Sequence, residues 1–168
     1  STMKERVDSI LDGLKDELFQ LALDIHGSPE LGLAEYKACA WQKELLEKYG
    51  FTFEIPYCGL DTAFKASYYG KKPGPKIAYL SEYDALEGIG HGCGHNLEAL
   101  TACGPGIALR AFVDEFGGSV HVFGTPAEET VGGKCIMADQ GAFDDMDVTL
   151  RSHPGADNTT RRTTAALN

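Results

Sequence analysis

Three short apolar runs, "KIAYL", "SVHVF" and "MDVTL", constrain the fold more than any other feature of the chain. They read as strands, and the stretches between them, "NLEALTACGPGIALRAFVDEF" and "GGKCIMADQGAF", carry helical apolar spacing. Two further segments, "FTFEI" and "TAFKASYY", alternate apolar and polar residues as half-buried strands do. After residue 51 the predicted order is therefore β-β-β-α-β-α-β. Strands alternating with helices predict an α/β sheet with parallel central strands and helices on both faces.

Two amphipathic helices precede the sheet. Val7, Ile10, Leu11, Leu14, Leu18, Leu21, Ala22 and Ile25 recur at helical spacing and predict a helix over about residues 4–26. "HGSPELGL" breaks that pattern, and Ala38, Trp41, Leu45, Leu46 and Tyr49 form a second helical face with Gly50 as its cap. Gly104-Pro105-Gly106 falls inside the third helical stretch. An interior proline costs about 3 kcal/mol, so a kink or a split into two helices is expected there. The tail "ADNTTRRTTAALN" is polar and shows no clear period.

Composition excludes several classes. The 168 residues fit one domain or part of a larger one, and 43% apolar content supports an ordinary core. A net charge of −10 repels phosphate, so no nucleic-acid partner is expected. No apolar run reaches the roughly 18 residues of a membrane span, and the N-terminus lacks a signal-peptide core. Five cysteines, an odd and scattered set, form no disulfide framework and suit a reducing, cytoplasmic setting.

The chemistry collects where the strands end. "KIAYL" leads into "SEYDALEGIGHGCGHN", "SVHVF" into "GTPAEET" and "MDVTL" into "RSHPG". Open parallel sheets bind ligands beyond the carboxyl ends of their strands, so these loops should meet at one rim. Cys93 and His95 lie two apart, and in extended backbone they face one side and can reach one ion. The alternative is a buried thiol and a capping imidazole. Glu128 and Glu129 point opposite ways in extended backbone, so one can bind a metal while the other takes a proton from water. The alternative is two acids complementing a helix dipole. His153 sits at a strand end before Pro154, and Asp84 either orients a ligating imidazole or is an ordinary surface acid. His121, mid-strand, reads as core or sheet surface.

In the order "IHGSPELGLAEYKA", "EYDAL", "GIGHGCGHN", "GTPAEE" and "SHPG", the chain resembles the aminoacylase/carboxypeptidase-like metal-dependent amidohydrolases, which include hippurate, auxin-conjugate and aminobenzoyl-glutamate hydrolases. The resemblance covers nearly the whole chain, and "CGHN" is similar to the branch that cleaves aminobenzoyl-glutamate and certain dipeptides. It implies a zinc-exopeptidase-like three-layer α/β sandwich with a mainly parallel mixed sheet, incomplete in this chain. It implies Cys93, His95, Glu129 and His153 as ligands of two divalent ions, zinc or manganese, and Glu128 as general base. The implied reaction is hydrolysis of an amide bond in an N-acyl amino acid, an aminobenzoyl-glutamate-like conjugate or a small dipeptide.

Residues 1–156 are then expected to be the N-terminal part of the catalytic domain. Residues 157–168 are expected to lead toward a lid that mediates homodimerisation and lies outside the chain, with one further metal-binding histidine beyond it. The chain by itself is expected to have little or no activity. Glu87 stands where the family usually has Pro, and Arg151-Ser152 where small or apolar residues are usual. Two rival readings are a degenerate, non-catalytic metal- or ligand-binding relative, and a thiol-based regulator with a reactive Cys93.

Overall fold

A computed structural model of the chain describes residues 1–85, 95–127, 132–152 and 160–163, with backbone alone at 95–97, 152 and 160–163. Helix α1 spans Met3–Gly27. Thr2 caps it, its hydroxyl accepting from the Glu5 amide at 3.1 Å. Leu14, Leu18, Leu21 and Ile25 line its buried face, each contributing about 1.5–3 kcal/mol on burial. Helix α2 spans Tyr36–Lys48. It ends as the glycine predicts: Gly50 takes φ 89°, and the Phe51 amide turns back to the Leu46 carbonyl at 3.1 Å.

The remaining elements are β1 (Thr52–Glu54), β2 (Phe64–Tyr69), β3 (Lys76–Ser81), α3 (His95–Ala108), α4 (Arg110–Phe116), β4 (Ser119–Gly124), α5 (Gly133–Asp139), β5 (Val148–Ser152) and β6 (Thr160–Thr163). They form a six-stranded sheet in the order β1-β2-β4-β3-β5-β6. The pairs β4/β3 and β3/β5 are parallel, and the pairs β1/β2, β2/β4 and β5/β6 are antiparallel. This is the mixed sheet with a parallel centre that the sequence predicts. One face packs its Val120 and Val122 against Leu18, Ile25, Leu46 and Ile107 of α1, α2 and α3. The other face packs Ala78, Leu80 and Phe123 against Met137 of α5, Phe143 and Met146. Three layers result.

Two expectations need correction. The division into two helices that the glycines and proline predict falls at the single residue Leu109 rather than at Gly104-Pro105-Gly106: α3 runs through Pro105 and α4 follows. The glycines are there for contact. A Cβ on Gly106 would sit 2.8 Å from Val122 Cγ2, and one on Gly104 2.9 Å from Leu18 Cδ1. The polar tail also contains β6, which adds to β5 in the register Thr149↔Thr163 to Ser152↔Thr160.

Candidate metal centre

From β3 the chain crosses through α3 and α4 to β4 on one side, then returns through α5 to β5 on the other. The strand order therefore reverses at β3, and it is beyond the carboxyl ends of the strands at such a switch point that open α/β sheets bind ligands. Their ends are level. Ser81 pairs with Gly124, and Tyr79 with Leu150. Beyond the ladder the Thr125 amide and hydroxyl both donate to the Ser81 carbonyl, at 2.8 and 3.1 Å.

The loops that leave these ends carry the candidate donors. His95 opens α3, so its backbone lies where the β3 loop returns to helix. Cys93, Glu128, Glu129 and His153 lie outside the described residues, and so does Glu87. Among the described residues, no group of three or more His, Cys, Asp or Glu side chains is placed to hold a metal. The structure thus brings the three strand ends together.

Four carboxylates among the described residues are buried. Glu82 and Asp84, just past β3, are 0% and 1% exposed; Glu98, in the first turn of α3, and Glu35, at the entry to α2, are also fully buried.

Arg151, out of place by the family's pattern, has a partner here. Its Nη2 donates to Glu82 Oε2 at 3.1 Å, its Nε lies 2.9 Å from Oε1, and Lys134 Nζ stands 4.0 Å from the same carboxylate. The departure at Arg151 is therefore matched within the chain by the buried Glu82.

Sequence reasoning passed over two carboxylates in "SPELGLAEY". Glu30 accepts from the Lys37 and Ala38 amides at 3.1 and 2.9 Å, capping α2 from outside, while its carbonyl accepts the Ala85 amide at 2.7 Å. Glu35 accepts the Ala34 amide on Oε1 at 2.8 Å and the Ala127 amide on Oε2 at 3.0 Å. Burial, reinforced by the nearby Asp84 charge and opposed by these amides, pushes its carboxyl up to about 7. Acids beside a predicted helix start were the available signal. The segment that reads as a simple break is a strut holding the loops after β3 and β4.

An α/β sandwich with three parallel strands ending at a topological switch point is the class that the fold defines. No protein-family model matches the chain. It is 34% identical over 168 residues to the Xaa-Arg dipeptidase of Mus musculus. It is 33% identical over 169 residues to one of the subunits of the p-aminobenzoyl-glutamate hydrolase of Escherichia coli. These alignments take in 93% and 89% of the chain but 39% and 35% of the relatives, so the chain spans well under half their length.

Among solved structures, a dinuclear metal binding peptidase of the M20 family from Bacillus subtilis matches with a TM-score of 0.77 at 24% identity, over 87% of the chain and 44% of its own. An aminobenzoyl-glutamate utilization protein from Klebsiella pneumoniae matches at 0.74 and 22%, over 89% and 46%. Over the part it shares with them the chain is homologous to the dipeptidase and the p-aminobenzoyl-glutamate hydrolase subunit, and its fold is that of the M20-family peptidase structure.

Proposed function

We propose that the protein carrying this chain is a dinuclear metal-dependent amidohydrolase acting on an N-acyl amino acid, an aminobenzoyl-glutamate-like conjugate or a small dipeptide. The observation that carries the reading is the level meeting of the carboxyl ends of β3, β4 and β5 at the switch point. In this reading Cys93, His95, Glu129 and His153 hold two ions, zinc or manganese; thiolate, imidazole and carboxylate are ordinary ligands of such metals. Bound metal would supply Lewis acidity toward the amide carbonyl and lower the pKa of water. Glu128 takes the proton from water and delivers it to the leaving amine. Asp84 orients a ligating imidazole.

The names of the relatives, a dipeptidase acting on Xaa-Arg and a hydrolase of p-aminobenzoyl-glutamate, support a small amide substrate. Free thiols at Cys39, Cys58, Cys103 and Cys135 suit a reducing, cytoplasmic compartment. In the same reading, residues 1–156 belong to the catalytic domain, whose sheet β6 of the segment 157–168 also joins, and that segment leads on toward a lid through which two copies pair.

The test is metal content per chain together with turnover of aminobenzoyl-glutamate and Xaa-Arg dipeptides by the whole protein. Glu128→Ala should cost roughly 10²–10⁴-fold in kcat with metal retained, the usual contribution of a positioned general base. Full turnover in that variant, or a wild type that takes up no metal, refutes the reading.

A further inference from the structure

We propose that Glu35 is a positioning residue that sets the backbone from which Glu128 and Glu129 depart. The inference rests on the roles proposed above for that pair. Its ground is the geometry on either side of residues 128–131. The Ala127 carbonyl accepts the Gly132 amide at 2.8 Å, and the Pro126 carbonyl accepts the Gly133 amide at 3.0 Å. These two bonds close the base of the segment that holds both glutamates. Little room is left there: a Cβ on Gly133 would fall 2.1 Å from the Pro126 oxygen.

Ala127 is fully buried and takes φ 57°, a left-handed conformation that a residue with a Cβ adopts only against a cost of about 1–2 kcal/mol. Something must hold it there. Its amide points to Glu35 Oε2 at 3.0 Å, across 92 residues of sequence. The other oxygen of the same carboxylate takes the Ala34 amide, which fixes the side chain at the entry to α2. A fully buried carboxylate is expensive unless its hydrogen bonds are made. Here both bonds go to backbone, and one of them ends at the residue next to Glu128. Glu35 thus acts on the site through Ala127 and touches neither substrate nor reacting atoms.

The experiment compares wild type, Glu35→Ala and Glu35→Gln in the full chain by two measurements. Zinc affinity is read by chelator competition, and amide hydrogen exchange at Ala34, Ala127 and Gly132 is read by NMR on metal-free protein. In Glu35→Ala, zinc affinity should fall about 10–100-fold, as when partners behind metal ligands are removed. Exchange at Ala127 should accelerate roughly tenfold or more through loss of a charge-assisted bond. Glu35→Gln keeps one acceptor and should recover part of both losses.

A folded Glu35→Ala chain with wild-type zinc affinity and unchanged exchange at Ala127 overturns the inference, even if its thermal stability falls. Should Glu35→Ala fail to fold, Glu35→Gln decides: with one acceptor for two amides, exchange at Ala34 or Ala127 must accelerate, and unchanged protection at both overturns the proposal. A wild-type chain that takes up no zinc overturns the proposed function instead, and the metal-free exchange data keep the two failures apart.

Discussion

Two buried ionisable side chains give the chain opposing responses to pH. Burial, with the charge of Asp84, raises the Glu35 carboxyl from 4.5 to about 7. Between those values the folded chain binds more proton than the unfolded one, so this group's contribution to stability falls as pH rises through the window. His121 does the reverse. Its ring is held between Ser67 Oγ at 2.8 Å on Nδ1 and Ser119 Oγ at 2.7 Å on Nε2, and burial, with Lys65 and Lys76 adding to it, lowers its pKa from 6.5 to about 4. The unfolded chain takes up that proton first, so stability from His121 is present above 6.5 and is lost as pH falls toward 4. Between pH 4.5 and 6.5 the two slopes oppose, each at most about 1.4 kcal/mol per pH unit. In chelator-treated protein, Glu35→Gln should therefore gain stability with rising pH more steeply than wild type across that window. Urea denaturation at several pH values measures this; parallel curves would mean that Glu35 titrates alike folded and unfolded. His121 was legible in the sequence as a strand residue of core or sheet surface. The role of Glu35 was not, because nothing local marks an acid whose partner is an amide 92 positions away.

At the level of elements, α3 shows how a local rule is overridden by packing. Pro105 removes one amide donor, yet the helix continues, and the Leu109 amide still reaches the Pro105 carbonyl at 2.9 Å. Gly104 and Gly106 let this helix lie directly on α1 and on β4. The two contacts differ in kind. Gly106 faces Val122 Cγ2, a branched side chain fixed in a central strand, whereas Gly104 faces the Cδ1 end of Leu18, a flexible tip. Replacing glycine by alanine in a helix gains about 1 kcal/mol of propensity, while overfilling a packed core costs about 1–3 kcal/mol. Gly106→Ala should therefore destabilise by up to roughly 2 kcal/mol in urea denaturation, and by more than Gly104→Ala, whose neighbour can move aside. Equal losses, or a gain at Gly106, would contradict the packing account. The same contrast explains what the sequence revealed. Amphipathic α1 and α2 and the apolar strands follow from periodicities written within each segment. The survival of α3 through Pro105 depends on partners far along the chain. So does β6, whose residues "TRRT" carry no strand pattern and pair only because β5 offers an edge.

For the molecule as a whole, the sheet brings three strand ends to one edge while leaving them remote in sequence. Element order alone was enough to foresee that convergence, because consecutive strand–helix–strand units place successive strand ends on the same side. The struts beneath were not foreseeable: Glu30 and Glu35 tie the entry of α2 to Ala85 and Ala127, and Glu82 draws Arg151 of β5 toward the end of β3. These ties prepare the rim, and on the proposed reading a divalent ion completes it by joining the β3, β4 and β5 loops through Cys93, His95, Glu129 and His153. An ion that binds the folded chain and not the unfolded one adds about 2.7 kcal/mol at a free concentration one hundred times its Kd. For a chain of this size, each kcal/mol moves Tm by about 2–4 °C, so saturating zinc should raise Tm by roughly 5–10 °C and a chelator should reverse the rise. Cys93→Ser and His153→Ala, drawn from different loops, should each remove most of that shift while leaving the metal-free Tm close to wild type. Glu128→Ala should keep it, since that carboxylate is assigned to proton transfer. A zinc shift that survives both ligand variants would place the ion elsewhere and would separate the level strand ends from metal binding.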